Sequence, residues 1–144
     1  FPYTTLFRTF SGPPIVAPEY QLLDDENYAQ IHNWELKDWQ LTAADYAMHV
    51  ADKTKKILYP PGQWNSSRII FTPENVEHWL NGKKVLSFVP WSEDWEKRRN
   101  SGKWNDAPDY GKYKSTNERF QAHASNLCFR TSNITEESTQ HQSN

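Results

Sequence analysis

Two runs in the middle of the chain carry alternating apolar and polar positions. Residues 76–80 read Val76, Glu77, His78, Trp79 and Leu80; residues 83–89 read Lys83, Lys84, Val85, Leu86, Ser87, Phe88 and Val89, with Asn81 and Gly82 between them. β-Prone runs joined by Asn-Gly predict a hairpin, because a two-residue type I′ turn needs positive φ at both central positions. Tight pairing sets Leu80 opposite Lys83, His78 opposite Val85 and Val76 opposite Ser87. On that register His78 shares a face with Val76, Leu80 and Val85, while Glu77, Trp79, Leu86 and Phe88 occupy the other. Large apolar groups on both faces point to a strand within a two-layer sandwich. Arg68, Ile69, Ile70, Phe71 and Thr72 form the β-rich run before it, ended by Pro73.

The rest of the chain adds short elements. After an extended loop over residues 9–18, a strand over residues 19–23 puts Tyr20 and Leu22 on one side and Glu19, Gln21 and Leu23 on the other. Asp24, Asp25, Glu26 and Asn27 supply its turn. Residues 28–43 show no sustained period and read as a long loop, with a strand expected over residues 43–50 and a charged turn over residues 52–56. Ser92 caps a run with Glu93 and Asp94 in its first turn and Arg98 and Arg99 in its last, which predicts a short helix near residues 93–100. Residues 105–114 read as a loop, residues 119–129 hold a final strand, and the chain is polar from Thr131 onward.

Composition narrows the class. The chain has 144 residues, the size of one domain. Only 36% of it is hydrophobic and its mean hydropathy is -0.93, yet aromatic residues reach 15%, more than a disordered chain carries. Nine prolines disfavour a helical bundle and suit an all-β fold of short strands. A net charge of -2 offers no basic stripe for nucleic acid. Cys128 is the only cysteine, which excludes an internal disulfide or a cysteine-based zinc site and reads as a small buried apolar residue. No run approaches a membrane span, and no signal peptide opens the chain. Phe1 to Arg8 reads as a frame of a sequencing adaptor, so residues 1–8 are set aside as a non-native segment; residues 9–130 are expected to form the domain and residues 131–144 a polar, disordered tail.

No phosphate loop, nucleophile elbow, zinc-binding helix or paired-cysteine motif is present. What remains is a set of carboxylates, amides and histidines on strands, with many aromatic rings. Such groups suit sugars, since polar groups bond hydroxyls and flat rings stack on pyranose C–H faces. Glu19 and Gln21 are the leading pair, against a plain reading as the solvated face of an edge strand. His78 can be a base or simply a hydrogen-bonded histidine in a packed sheet, and His123 has less context. Trp64 and Trp79 can be sugar platforms, although core packing is the commoner role of such rings.

Four stretches together carry a resemblance: Glu19-Tyr-Gln-Leu-Leu-Asp24, Pro61-Gly-Gln-Trp-Asn-Ser-Ser-Arg-Ile69, Val76-Glu-His-Trp-Leu-Asn-Gly82 and residues 91–95 between two tryptophans. In order and spacing they resemble the 3-keto-disaccharide hydrolase domain family, from about Pro18 to Phe129. The resemblance implies a concanavalin-like β-jelly-roll sandwich and periplasmic or extracellular export by bacteria that degrade glycans. It also implies cleavage of glycosides already oxidised at C3, whose ketone acidifies the C2 proton, so that a base removes it, the anomeric group leaves by elimination and water adds later. That chemistry needs a base and an acid. The expected assignment is His78 or His123 as base, Glu19 as acid or metal ligand, and Gln21 and Arg68 orienting hydroxyls or the enolate, with Trp64 and Trp79 also touching substrate. A divalent cation held by Glu19 and the histidines could polarise the ketone.

Two departures from the family pattern are expected to matter. The family's opening strands are missing, which makes the jelly roll incomplete, and Gln121-Ala122-His123-Ala124 stands where Gln-Asp-His-Gly is expected. Loss of that acid removes a partner that could orient His123. Two other readings therefore stand beside the enzyme: a non-catalytic carbohydrate-binding or adhesion sandwich, and an inactive gene fragment.

Overall fold

The computed structural model describes residues 18–111, 121–124 and 129–134, the last two segments by their backbone. Cys128, the loop over residues 9–17, the adaptor-like segment and the tail beyond residue 134 lie outside the described residues. The architecture is the all-β jelly-roll sandwich expected, in two layers. One layer is a four-stranded sheet in the order β4-β3-β2-β6, formed by β2 (Asn65–Phe71), β3 (Val76–Leu80), β4 (Lys83–Phe88) and β6 (Phe129–Ile134). The other pairs β1 (Glu19–Leu22) in parallel with β5 (Gln121–Ala124). β5 lies within the final strand expected over residues 119–129, whereas β6 begins at its end and runs to Ile134, so residues 131–134, expected to belong to the tail, are in a strand. The expected short helix is α2 (Glu93–Ser101), whose Trp95 amide donates to the Ser92 hydroxyl at 3.3 Å.

Alternation explains how the layers meet. On β2 the positions Asn65, Ser67 and Ile69 are buried while Ser66 and Arg68 are exposed; on β3 Val76, His78 and Leu80 are buried between half-buried Glu77 and Trp79. Tyr20 and Leu22 of β1 face that buried surface, and with Ala43, Ala51, Ile69, Leu80 and Val85 they make the main core. The Ser67 hydroxyl donates to the Tyr20 hydroxyl at 2.8 Å, so one polar contact crosses the layers and is satisfied there. Met48, Trp95 and Tyr110 form a second cluster that seats α2 against the end of β4.

The hairpin turns where expected, with Asn81 at φ 47 and Gly82 at φ 78, and Leu80 pairs with Lys83. Beyond the next pair, Trp79 with Lys84, the register departs from expectation. Trp79 pairs with Lys84 but His78 with Leu86, so Val85 is an extra residue in a β-bulge, and Val76 pairs with Phe88 rather than Ser87. The slip moves Phe88 to the buried face beside His78, with ring centroids 6.0 Å apart.

Two further expectations are corrected. Within the supposed loop, α1 (Asn27–His32) is a helix and Asp38–Gln40 a 3-10 turn; both lack buried residues, which is why no apolar period betrays them. The strand expected over residues 43–50 is instead a tight loop. Asp45 and His49 exchange backbone bonds of 3.1 and 3.0 Å, and Ala43 and Ala47 hold positive φ of 69 and 61.

Candidate functional site

The sequence candidates fall in three separate places. His78 lies between the layers with 0% of its surface exposed. Its Nδ1 is 2.8 Å from the Ala43 carbonyl, which can only accept, so the imidazole carries its proton on Nδ1. The Tyr20 ring packs against it at 4.6 Å. Burial holds its pKa down to about 4, outweighing the opposing pull of the Ala43 bond. The imidazole is therefore neutral at ordinary pH and enclosed.

Arg68 and Trp79 are cross-strand partners on the opposite, outer face of the same sheet, with the guanidinium 5.9 Å from the ring centre. Lys84 donates to the Glu77 carboxylate at 2.9 Å and, with the Trp79 indole donating to the same group at 2.8 Å, holds the Glu77 pKa below its usual range against the opposing effect of desolvation. Trp64, just before β2, is 67% exposed, so the core-packing reading of this ring does not hold.

Glu19 and Gln21 share the side of β1 that points away from His78, because Tyr20 between them points toward it. The parallel register sets Glu19 beside Gln121 and Gln21 beside His123. The structure thus brings Glu19, Gln21 and His123 onto adjacent strands and separates them from His78, Arg68 and Trp79. Gln21 is only 5% exposed, which removes the solvated-edge reading for it. A cation shared by Glu19 and His78 does not fit, since β1 lies between them, and among the described residues no three acidic, histidine or cysteine side chains are placed to hold a metal ion.

One cluster escaped the sequence reading. His49 Nδ1 is 2.9 Å from the Asp45 carboxylate, which is 1% exposed, and its Nε2 is 3.6 Å from Asp94. Its ring lies flat on Phe88 at 4.1 Å. Burial raises the Asp45 pKa, while the bond and charge of His49 and the charge of Arg98 pull it back. Arg98 donates from Nε to Asp94 at 2.7 Å and from Nη1 to the Met48 carbonyl at 3.2 Å, and the first contact lowers the Asp94 pKa. Of these groups His49, Phe88, Asp94 and Arg98 border an open depression of about 530 Å³. The signal available was the Asp45-x-x-x-His49 spacing. In a strand those residues would stand about 13 Å apart and could not pair; the tight loop closes that distance.

The asparagines of the recognised stretches serve the scaffold. The Asn65 side chain accepts from the Tyr59 amide at 2.8 Å and donates to the Tyr59 carbonyl at 2.9 Å. Asn81 donates to Asn65 and to the Ile57 carbonyl, both at 2.8 Å, and accepts from the Ser66 amide at 2.8 Å. Together they tie the loop before β2 to the hairpin tip.

Comparison with known proteins gives a consistent result. Residues 4–135 match the 3-keto-alpha-glucoside-1,2-lyase-like domain family. A 3-keto-disaccharide hydrolase of Bacteroides thetaiotaomicron is 28% identical over 81 residues, covering 56% of this chain and 27% of that protein. A crystal structure of a candidate glycosyl hydrolase from Parabacteroides distasonis is similar with a TM-score of 0.59 and 50% identity, over 67% of this chain and 44% of the other. The chain thus spans about a quarter of the curated relative and less than half of the solved one.

Proposed function

Because the chain belongs to the 3-keto-alpha-glucoside-1,2-lyase-like domain family, we propose that it acts on carbohydrate, cleaving the glycosidic bond of 3-keto-glycosides by elimination and hydration. The family match over residues 4–135 carries this reading. The chemistry requires an imidazole or carboxylate that reaches substrate. His78, enclosed and neutral, is suited to hold the sheet together. The register beside Gln21 keeps His123 as a candidate base, with Glu19 as candidate acid and Gln21 as a hydroxyl partner on the same strand pair. Exposed Trp64 and the Arg68–Trp79 pair lie apart and suit a peripheral sugar contact. A periplasmic or extracellular setting fits a substrate released from glycans. Among the described residues no helix is long and apolar enough to cross a membrane.

The test is incubation of the purified chain with p-nitrophenyl 3-keto-α-glucoside and with the unoxidised glucoside. Release of nitrophenol from the keto form alone is expected. No release from either, together with calorimetric binding of an unmodified oligosaccharide, would favour a binding sandwich instead.

A further inference from the structure

The depression beside α2 has what a proton-transfer site needs. A buried carboxylate, Asp45, fixes His49 through Nδ1, which leaves Nε2 as the exchanging nitrogen. Stacking on Phe88 fixes the plane of the ring. The depression also presents Ser87, Ser92, Asp94 and Arg98. We propose that the Asp45–His49 pair is the acid–base catalyst for a 3-keto-glycoside bound in this depression, with Arg98 facing the developing enolate oxygen; this rests on the reaction class proposed above.

The step balances without a co-reactant. His49 Nε2 takes the proton from C2, the C–H pair forms C2=C3, and the carbonyl pair moves to the C3 oxygen as an enolate. A guanidinium is a suitable partner for that charge. As the enolate collapses, C1=C2 forms, the C1–O bond breaks, and the departing oxygen takes the proton back from Nε2. The products are an alcohol and a 1,2-unsaturated 3-keto sugar, to which water then adds. Asp94, 3.6 Å from Nε2, faces the imidazolium during the cycle. The Arg98 contact keeps that carboxylate ionised, so it balances the charge without capturing the proton.

The same p-nitrophenyl 3-keto-α-glucoside assay on the full chain tests this. The expected result is a loss of about 100-fold or more in kcat for His49→Asn, partial rescue of His49→Gly by added imidazole, and an altered pH–rate profile for Asp45→Asn. If His49→Asn shows no cooperative melting, the Asp45→Asn profile decides: an unchanged rate and profile overturns the proposal. An active His49→Asn beside an inactive His123→Asn also overturns it and leaves the reaction class standing. An inert wild type overturns both.

Discussion

Phe88 touches two imidazoles, and the contrast between them separates scaffold from chemistry. It lies flat on His49 at 4.1 Å and meets His78 edge-on at 6.0 Å. Both histidines are buried, 6% and 0% exposed, so burial does not distinguish them. Their partners do. His78 donates to a backbone carbonyl, and its pKa falls because burial disfavours the charged form more than that bond favours it. His49 sits between two carboxylates at the edge of an open depression. An imidazole tied to a carbonyl inside a core holds two layers together; one tied to a buried carboxylate at a surface can exchange a proton.

The strongest way to break the contrast is to remove the enclosed ring. His78→Ala leaves a cavity beside Tyr20 and Phe88 and orphans the Ala43 carbonyl, an expected loss of about 3 kcal/mol by urea unfolding. His78 should also imprint a pH dependence. Its folded pKa, about 4, lies below the ordinary 6.5, so the unfolded chain takes up a proton that the folded chain refuses. Stability is then full above pH 6.5 and falls as pH drops toward 4, by up to about 3 kcal/mol. His78→Phe should flatten that slope, and an unchanged slope would mean that His78 is not the group responsible.

Next in size is the asparagine lock at the hairpin tip. Asn81→Ala loses three hydrogen bonds and puts an alanine at φ 47, for an expected cost of about 2 kcal/mol. Asn81→Gly relieves the backbone part and should recover about 1 kcal/mol of it in the same unfolding measurement. Equal losses for the two would show that backbone conformation contributes nothing at this position.

These residues also show what the sequence could and could not convey. The turn at Asn81-Gly82 was legible because positive φ at two adjacent positions restricts residue choice to a short set. The helix over Glu93–Ser101 was legible from its cap and charge order. The bulge at Val85 was not, since Lys84, Val85 and Leu86 carry no proline or glycine to mark it, and the slip it causes is what brings Phe88 to both imidazoles. For the candidate site, motif spacing pointed to residues with defined neighbours in the chain. Glu19, Gln21 and His123 fall on adjacent strands by register, whereas Arg68 and His78, close in sequence to one hairpin, end on opposite faces of one sheet. The Asp45–His49 contact was hidden because Ala43 and Ala47 adopt positive φ without glycine, so nothing local announced the tight loop.

The smallest expected effect sharpens the contrast most. Asp45→Asn keeps an oxygen that can accept from His49 Nδ1 but removes a buried charge, and these effects oppose each other. The charge-assisted bond weakens, while the desolvation that raises the Asp45 pKa disappears. The net change in stability should stay within about 1 kcal/mol at neutral pH. The pH response carries the sign. A folded pKa raised above the ordinary carboxylate value means that the native state binds a proton before the unfolded chain does, so acidification through that range stabilises the fold. That gain runs opposite to the loss caused by His78, and both enter the wild-type curve. Asp45→Asn should therefore steepen the fall in melting temperature on acidification, and His78→Phe with Asp45→Asn should remove both contributions. A curve for Asp45→Asn that overlays the wild type would mean that the buried carboxylate titrates alike in both states, and that the partner of His49 is set by geometry alone.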